Sequence, residues 1–337
     1  MKVLVTGAAG FLGSRVVLKL AEMGITEIRC FVRPTSNLER LERIKVQLSD
    51  AKIELFFGDL TSPEDISDAL KGVNLVYHMA ASMKGSPSAM FYSNCVASQF
   101  LLDAVAKTVP RVGRVVLVST FGVYWWAGMK AGTMVDETAP LEKIPEKRDP
   151  YSYSKLVQEK IFREFCDDQN ISLVVIRPGV IYGSAKTFIS SRVGTDIFGL
   201  FLFLGAKNII PFTYVDNCAE AIALAGFRED IDNEIFNIVD DDIVTCAECF
   251  KLYRRYVKKI FYIPVPFYLF KFLSSIYELY HSYSRGQLPA AFTVYSTEST
   301  WKGFRFTNNK IKQLLGWQPK IDFKEGVRRI ITGYGIE

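Results

Sequence analysis

A glycine-rich turn near the start of the chain constrains the fold more than any other feature. Residues 2–6 have the apolar pattern of a strand, and Gly7-Ala8-Ala9-Gly10-Phe11-Leu12-Gly13 leads from it directly into a helical pattern. Glycines allow a tight turn and a close approach of backbone to phosphate, and the amino terminus of a helix offers unpaired N–H groups. The pattern predicts a dinucleotide-binding strand-turn-helix unit. The alternative is that a tight turn without a ligand requires these glycines for steric reasons alone.

Strands and helices alternate through the first half of the chain. The pattern predicts strands over 2–6, 27–32, 53–57, 74–79, 114–119 and 172–176, and helices over 11–23, 62–70, 88–108 and 150–169. This order predicts the α/β class, with a Rossmann-type doubly wound parallel sheet covered by helices on both faces. We expect a dinucleotide-binding domain over 1–176, rejoined by a strand and helix around 211–259. A smaller, discontinuous substrate-binding lobe is expected in 177–337.

The composition excludes several classes of function. A net charge of +5 with both signs scattered along 337 residues does not indicate a nucleic-acid partner. Only two histidines occur, His78 and His281, so neither a metal site nor a serine-histidine triad is expected. Six cysteines need not be paired, and a strand that begins within the first residues leaves no room for a signal peptide. We therefore expect a cytoplasmic protein.

The end of the second predicted strand indicates which dinucleotide is preferred. Cys30-Phe31-Val32-Arg33-Pro34 contains no acid for a ribose 2′-hydroxyl, and Arg33 is suited to a 2′-phosphate. NADP(H) is therefore the expected cofactor, with NAD(H) as the alternative because backbone contacts can replace the acid. Asp59, after the third strand, could reach the adenine or only close a turn.

The segment Asp149-Pro150-Tyr151-Ser152-Tyr153-Ser154-Lys155 offers two tyrosines to one lysine. Asp149 suits a helix N-cap and Pro150 a first helical position, so Tyr151 and Lys155 share a helix face as i and i+4. Tyr153 points elsewhere. A nearby ammonium lowers the pKa of a tyrosine, which can then exchange a proton with an alcohol or carbonyl. Taken alone, Tyr-x-x-x-Lys on a helix usually means surface packing.

In company with other motifs, the chain resembles an extended short-chain dehydrogenase/reductase over nearly its whole length. The motifs that carry the resemblance appear in order as Gly7-x-x-Gly10-x-x-Gly13, Asp59-Leu60, Ala80-Ala81, Asn94, Ser119-Thr120, Tyr151-x-x-x-Lys155, Arg177-Pro178-Gly179-Val180-Ile181-Tyr182-Gly183, Tyr214-Val215-Asp216-Asn217 and Leu315-Gly316-Trp317-Gln318-Pro319.

The resemblance implies a role for each matching residue. Tyr151 is the catalytic acid/base, Lys155 lowers its pKa and holds the nicotinamide ribose, and Thr120 orients the substrate oxygen. Ser119 is the weaker candidate because it belongs to the strand, and Asn94 could support the site or be solvated. The resemblance also suggests a homodimer. The cofactor-binding residues it implies are Gly7, Ala9, Gly10, Phe11, Leu12, Gly13, Arg33, Asp59, Leu60, Ala80, Ala81, Tyr151, Lys155 and Pro178.

Two substrate classes fit this cofactor lobe. The first is a hydrophobic secondary alcohol or ketone, steroid- or isoprenoid-like, as in the 3β-hydroxysteroid-dehydrogenase-like branch. The alternative is a nucleotide-sugar epimerase, dehydratase or reductase, whose members commonly carry an asparagine after the Arg-Pro pair. Residues 177–183 lack that asparagine, and residues 214–221 are more similar to the steroid branch. A non-catalytic binding module would need a broken catalytic set, but Thr120, Tyr151 and Lys155 are all present.

Apolar segments in the second half support the hydrophobic substrate. Residues 196–204 and Trp125-Trp126 suit an apolar, aromatic-lined cleft, or else a buried core helix and a packed loop. A pair of cysteines, Cys246 and Cys249, falls inside a Thr245-x-x-Glu248 capping box that opens a helix to Lys259. Neither a redox nor a zinc role is expected for that pair.

A second apolar stretch, residues 260–280, follows a basic helix. Prolines and charges interrupt the stretch, so a transmembrane span is not expected. Basic residues beside an aromatic helix favour peripheral membrane contact through 251–283. A substrate-lobe or dimer-interface helix beside a solvated basic face is the alternative. The basic residues are Lys251, Arg254, Arg255, Lys258 and Lys259.

Overall fold

The structure is a computed structural model that describes residues 1–48, 51–108, 111–183, 188–197, 199–283 and 292–333. The strands of the first half are β1 (Lys2–Thr6), β2 (Glu27–Val32), β3 (Lys52–Phe57), β4 (Leu75–His78), β5 (Arg114–Val118), β6 (Met134–Val135) and β7 (Ser172–Pro178). The helices of this half are α1 (Phe11–Glu22), α2 (Glu39–Gln47), α3 (Pro63–Ala69), α4 (Pro87–Phe91), α5 (Ala97–Lys107) and α6 (Pro150–Asp168).

The second half has shorter strands and a run of helices. Its strands are β8 (Val180–Tyr182), β9 (Gly194–Ile197), β10 (Leu200–Phe203), β11 (Ile209–Ile210), β12 (Phe212–Tyr214), β13 (Ile235–Ile238), β14 (Val244–Thr245), β15 (Tyr262–Pro264) and β16 (Arg305–Phe306). Its helices are α7 (Val215–Ala225), α8 (Cys246–Tyr256), α9 (Phe267–Tyr283), α10 (Val294–Trp301), α11 (Asn309–Leu315) and α12 (Phe323–Thr332).

A seven-stranded sheet in the order β13-β7-β5-β4-β1-β2-β3 forms the centre of the molecule. Every strand pair in this sheet is parallel. The strand order reverses between β1 and β4, which is where the crevice at the carboxyl ends of the strands opens in such folds. The predicted fold class, a doubly wound parallel sheet, is confirmed.

Apolar side chains on both faces of the sheet explain why helices cover it. On one face, α1, α2, α7 and α11 pack on the sheet, and on the other face α3, α5 and α6 do so. The strands alternate between these two layers, as Leu4 joins one cluster and Val3 and Val5 the other. Strands buried on both faces need continuous apolar runs, which is the pattern read in the sequence.

The structure differs from the predicted elements in several places. Helix α2 was not predicted, and the single helix expected over 88–108 is α4, a π-helical turn at Tyr92–Val96 and α5. Helix α8 has the predicted capping box on Thr245 but ends at Tyr256, so Lys258 and Lys259 follow the helix. Helix α2 buries only Leu41 and Ile44, which is too few apolar positions for a clear pattern. The other differences concern a boundary or a local irregularity that apolar periodicity does not encode.

For the apolar run 196–204 the sequence allows either a substrate cleft or a buried core helix. The described residues of this run form strands and no helix. Strands β9 and β10 pair antiparallel around Gly199, whose φ of +85° suits a turn; Phe198 lies outside the described residues. The rings of Phe201 and Phe203 stack on Phe250 at 5.1 and 5.0 Å between centroids. These phenylalanines therefore pack the second lobe.

Helix α9 packs on α10 through one narrow face. Phe270 meets Trp301 edge-on at 5.2 Å, and the hydroxyls of Ser274 and Thr297 are 2.8 Å apart. Among the helices in the described ranges, none is long and apolar enough to cross a membrane.

The six cysteines are buried free thiols. The Cys246 and Cys249 thiols face the backbone carbonyls of Arg192 and Phe188, at 3.4 and 3.0 Å. No cluster of metal-ligating side chains is found in the part of the chain that the structure describes.

Candidate active site

The glycine turn between β1 and α1 has no room for side chains. Gly7 has a φ of +70°, and a Cβ on it would lie 2.9 Å from the backbone nitrogen of Ala80. A Cβ on Gly13 would lie 2.1 Å from the carbonyl oxygen of Gly7. Helix α1 begins at Phe11 after Gly10, and no described side chain caps its amino terminus. The turn and the open N–H groups fit the pyrophosphate of a dinucleotide.

The other residues expected at the cofactor surround this turn. Arg33 is exposed directly after β2, and Asp59 is exposed after β3. The Asp59 carboxylate accepts hydrogen bonds from the backbone N–H and hydroxyl of Thr61, both at 2.8 Å, so it closes its own turn. These bonds, and more weakly the charge of Arg33, lower the pKa of Asp59. Of the other predicted residues, Leu60 follows β3, Ala80 and Ala81 follow β4, and Pro178 is the last residue of β7.

Helix α6 presents the Tyr-x-x-x-Lys motif. The Asp149 carboxylate caps it by accepting a hydrogen bond from Ser152 N at 2.9 Å, and Pro150 is its first residue. Tyr151 is partly buried in the first turn. Tyr153 instead packs against the ring of Phe91 at 6.0 Å, away from Lys155.

Lys155 is the buried cation of the site, with only 2% of its surface exposed. Its ammonium donates to the carbonyl oxygen of Val118, the last residue of β5, at 2.7 Å, and also to the side-chain oxygen of Gln158. Burial lowers the pKa of Lys155 to about 8, against the opposing effect of the Glu159 carboxylate. The lysine is therefore held at the carboxyl end of the sheet by two fixed acceptors.

Gln158 connects Lys155 to a larger buried network. Its amide nitrogen donates to the Ser98 hydroxyl at 2.8 Å and to the carbonyl oxygen of Asn94 at 2.9 Å. The Thr6 hydroxyl lies 2.9 Å from Nδ1 of His78 and already accepts two backbone N–H groups, so its proton is directed at the imidazole. Burial lowers the pKa of His78 to about 3, which keeps the ring neutral. His78 is therefore structural, as expected.

The predicted effect of Lys155 on Tyr151 is wrong for this structure. Burial and the Asp149 carboxylate raise the pKa of Tyr151 to about 12. The Lys155 ammonium is directed toward Val118 and Gln158, so it does not offset the cost of burying a phenolate. Tyr151 is therefore a neutral phenol that can donate a proton.

The structure separates the roles of the two hydroxyl residues after β5. The Ser119 hydroxyl is buried and donates to the Glu159 carboxylate at 2.7 Å, so it faces the core. Thr120 is partly exposed and accepts a hydrogen bond from Gly122 N at 3.1 Å, which leaves its O–H free to donate. A Cβ on Gly122 would lie 2.7 Å from the Ser152 hydroxyl, so the Thr120 turn rests against the first turn of α6.

Asn94 lies in the π-helical turn and is fully buried, not solvated. Its side-chain nitrogen donates to the Ser154 hydroxyl at 2.9 Å and to Ser82 O at 3.0 Å, and its side-chain oxygen accepts from Ser82 N at 2.7 Å. Asn94 thus joins the loop after β4 to α6, next to Lys155. π-Helical turns are frequent at functional sites because they redirect backbone groups.

Sequence reasoning missed the residues that hold Lys155 in place. Gln158, Ser98 and Thr6 take part in its network, yet none belongs to a recognised motif. The spacing of Gln158, three residues after Lys155, was a usable signal, since i and i+3 share a helix face. The other two come from distant strands and helices, which only the tertiary fold brings together.

Comparison with known proteins identifies the family. A sequence model of the NAD-dependent epimerase/dehydratase family matches residues 3–238 of this chain. The chain therefore belongs to that family, and its predicted place among the extended short-chain dehydrogenase/reductases is confirmed.

Two groups of curated relatives illustrate the range of the family. The chain is 27% identical to a decarboxylating sterol-4-alpha-carboxylate 3-dehydrogenase of Candida albicans, over 96% of this chain and 95% of the relative. It is 29% identical to cinnamoyl-CoA reductase 2 of Arabidopsis thaliana, over 64% of this chain and 65% of that one.

Solved structures share the fold. The crystal structure of gox2253 gives a TM-score of 0.77 with 22% identity, and each chain is covered over 99%. UDP-glucose 4-epimerase of Thermotoga maritima, solved with UDP-glucose, gives a TM-score of 0.71 with 23% identity, over 99% of this chain and 98% of the epimerase. At these identities the likeness concerns the fold alone.

Replacing Gln158 tests whether it positions Lys155. The variant Gln158→Leu removes an acceptor of the ammonium, which should lower the pKa of Lys155 by about one pH unit. The alkaline limb of the pH dependence of NADH binding, followed by fluorescence, should therefore move to lower pH by that amount. Gln99→Leu, on the exposed side of α5, is the matched control. An unchanged pH profile in a folded Gln158→Leu protein would contradict the positioning role.

Proposed function

We propose that the protein is an NAD(P)-dependent oxidoreductase that transfers a hydride between nicotinamide and a hydrophobic secondary alcohol or ketone. The observation that carries this proposal is that the elements bearing Thr120, Tyr151 and Lys155 come together at the carboxyl end of the sheet. The turn of Thr120 rests on the helix of Tyr151, and Lys155 binds the strand that ends two residues before Thr120. The glycine turn after β1 stands at the same edge of the sheet.

Each side chain has a defined part in the proposed reaction. When bound, the nicotinamide supplies a hydride acceptor or donor for the carbon of the substrate. Tyr151 gives its phenolic proton to the carbonyl oxygen during reduction, which is the role that a neutral phenol can perform; the reverse oxidation needs the phenolate form of Tyr151. Thr120 donates a hydrogen bond to the same oxygen. The Lys155 ammonium, already bound to two acceptors, has its third proton left for the ribose.

The relatives that span the chain support the hydrophobic substrate. Sterol-4-alpha-carboxylate 3-dehydrogenases match it over 96% to 99% of its length, in Candida albicans and Mus musculus. Residues 177–183 also lack the asparagine that is common in nucleotide-sugar members, which favours the hydrophobic substrate. A nucleotide-sugar epimerase, dehydratase or reductase is the second candidate, favoured by the folds of the UDP-glucose epimerases.

A pair of tyrosine variants tests the chemistry. We expect Tyr151→Phe to reduce steroid-dependent turnover by roughly 10²- to 10⁴-fold, because the proton donor is lost. Tyr153→Phe, two residues away on the same helix, should retain activity because Tyr153 packs against Phe91. Nicotinamide absorbance measures turnover of a 3β-hydroxysteroid in both variants, and chromatography of the sugar products measures turnover of UDP-glucose, because an epimerisation leaves no net change in the nicotinamide. Unchanged turnover in Tyr151→Phe would exclude its role, and turnover with UDP-glucose alone would select the second candidate.

For the cofactor, we propose that Arg33 gives a preference for NADP(H), since it stands exposed at the end of β2. Arg33→Ala should weaken NADPH binding by about tenfold to a hundredfold, the value of a hydrogen bond between charged groups, and leave NADH binding unchanged. Arg40→Ala, exposed on α2, is the matched control. Titration followed by nicotinamide fluorescence measures the affinity of each protein for NADPH and for NADH. Tighter binding of NADH than NADPH by the unaltered protein would contradict the preference.

We further propose that this protein is cytoplasmic and that it contacts a membrane surface through α9. Its solvent face is an uncharged stripe of eight residues that are between 49% and 84% exposed: Tyr268, Leu269, Phe272, Leu273, Ile276, Leu279, Tyr280 and Tyr283. Exposed basic residues precede the stripe in the chain at Arg255, Lys258 and Lys259. Aromatic and aliphatic side chains beside cations are complementary to an anionic lipid surface.

Vesicle binding tests the α9 stripe. The full chain should co-sediment with phosphatidylcholine vesicles that contain phosphatidylglycerol, and less so at high salt, because the cations are then screened. Phe272→Glu should reduce binding severalfold, whereas Val46→Glu, at an exposed apolar residue of α2, should not. If Phe272→Glu instead converts a dimer to a monomer without affecting lipid binding, the stripe is a subunit interface. The homodimer suggested by the resemblance stays a prediction that the same sizing experiment measures.

A further inference from the structure

A tyrosine of the second lobe contacts the segment that follows the Thr120 turn. Tyr295 lies in the first turn of α10, and its hydroxyl donates to the carboxylate of Glu142. The Lys147 ammonium lies over the ring of Tyr295, 5.6 Å from the centroid. Burial and the Glu142 carboxylate raise the pKa of Tyr295, so the phenol stays neutral and donates its proton. Two side chains of residues 142–148 therefore contact one ring of α10.

Helix α10 is fixed at its other end as well. The indole N–H of Trp301 donates to the carbonyl oxygen of Ser191 at 3.1 Å. The ammonium of Lys302, directly after the helix, donates to the carbonyl oxygen of Ala127 at 2.8 Å. Because α10 is bound at both ends, it presents the Tyr295 hydroxyl at a defined place.

The Glu142 carboxylate that receives this hydroxyl is buried, with 1% of its side chain exposed. One of its oxygens accepts from the backbone N–H of Ile144 at 3.0 Å and from the Tyr295 hydroxyl. The other oxygen faces Nε of Arg148 at 3.7 Å and has no hydrogen-bond partner among the described residues. A buried carboxylate with so few donors depends strongly on each of them.

The Thr120 turn is bound from outside by the same two residues. The backbone N–H of Glu142 donates to the carbonyl oxygen of Val123 at 2.9 Å. The Arg148 guanidinium donates to the carbonyl oxygen of Gly122 at 3.3 Å. Both acceptors belong to the turn that carries the hydroxyl expected to orient the substrate oxygen.

Arg148 also contacts the first turn of α6. Its guanidinium donates to the Ser152 hydroxyl at 3.4 Å and forms an ion pair of 3.9 Å with Asp149, the N-cap residue of this helix. Arg148 therefore connects the turn of Thr120 to the helix of Tyr151. Its hydrogen bonds to both elements are longer than usual, so a small movement of the guanidinium would break them.

We propose that Tyr295 is a positioning residue for the reaction: by holding Glu142, it keeps Arg148 between the Thr120 turn and the first turn of α6. This inference rests on the proposed function and deepens it, because it makes a helix of the second lobe part of the geometry of the reacting groups. Tyr295 acts through the Glu142 carboxylate and the Arg148 guanidinium, without a contact of its own to the substrate.

Loss of the Tyr295 hydroxyl has a defined consequence. Arg148 is the ion-pair partner of the Glu142 carboxylate, so the guanidinium moves toward a carboxylate that has lost a donor. Its hydrogen bonds to Gly122 and Ser152 then break, and the turn and the helix are no longer held in one geometry. Small displacements of reacting groups lower the rate because fewer encounters have the geometry of reaction.

Conservative variants of the full chain test the proposal. We expect Tyr295→Phe to lower kcat for a 3β-hydroxysteroid about fivefold to thirtyfold, with the Kd of NADPH and of NADH unchanged, since the glycine turn lies elsewhere. In a Glu142→Gln protein, the same substitution should leave kcat nearly unchanged, because both changes act through one contact. Tyr280→Phe, exposed on α9, is the matched control and should retain full activity.

Hydrogen exchange followed by mass spectrometry gives a readout that does not need turnover. Tyr295→Phe should speed the exchange of backbone amides in residues 121–124 and 152–155 severalfold, because these residues lose the connection through Arg148. Exchange in α1 should stay the same, since that helix has no part in the connection.

The outcomes separate this proposal from the proposed function. Unchanged kcat and exchange in a folded Tyr295→Phe protein overturn the positioning role. So does a loss of kcat that recurs in full in the Glu142→Gln protein, or one that comes with weaker cofactor binding and a lower Tm, because the role is then structural. If the unaltered protein turns over no hydroxysteroid but Tyr295→Phe still speeds exchange in residues 121–124, the connection is supported and the proposed function is overturned.

Discussion

The buried ammonium of Lys155 is the constraint on which the rest of the site depends. A charge that is almost fully removed from water needs fixed acceptors, and it finds them in the end of β5 and in Gln158. Gln158 is itself held by the carbonyl of Asn94 and by Ser98, whose hydroxyl oxygen also lies 3.2 Å from Nε2 of the neutral His78 ring. The network therefore joins α6 to two strands and to the irregular helix after β4. Any displacement of one of these elements would leave a buried charge unpaired, which is costly.

One turn further along α6, a second polar contact fixes the helix to the neighbouring strand. Glu159 forms a buried ion pair with Arg177 of β7 and accepts the hydroxyl of Ser119. Arg177 in turn donates to the hydroxyl of Tyr124 at 3.2 Å. This arrangement occupies Ser119 in the core and leaves Thr120 as the hydroxyl at the surface of the site. The stability of this region and the different exposure of the two hydroxyls thus come from the same contacts.

The two sides of the proposed site differ in character. The proposed cofactor side is made mostly of backbone, because Gly7 and Gly13 stand where a Cβ would collide with neighbouring backbone. The substrate side is made of aromatic rings and arginines, with Trp126 packed between Phe121 and Arg192. A backbone cradle suits a cofactor shared across a family, whereas side chains can change with the substrate. Differences in specificity are therefore expected in the side chains around Thr120 and not in the glycine turn.

Much of the fold follows from the sequence alone. Alternating apolar runs predicted six of the strands of the central sheet, and the glycine spacing, the Asp149 cap and the i, i+4 relation of Tyr151 and Lys155 were each present in local sequence. These features are short-range, so backbone sterics and helix geometry determine them. The sequence did not reveal the direction of the Lys155 ammonium, the raised pKa of Tyr151 or the contact of Tyr295 with Glu142. Those properties depend on burial and on partners distant in the chain, which only the tertiary structure decides.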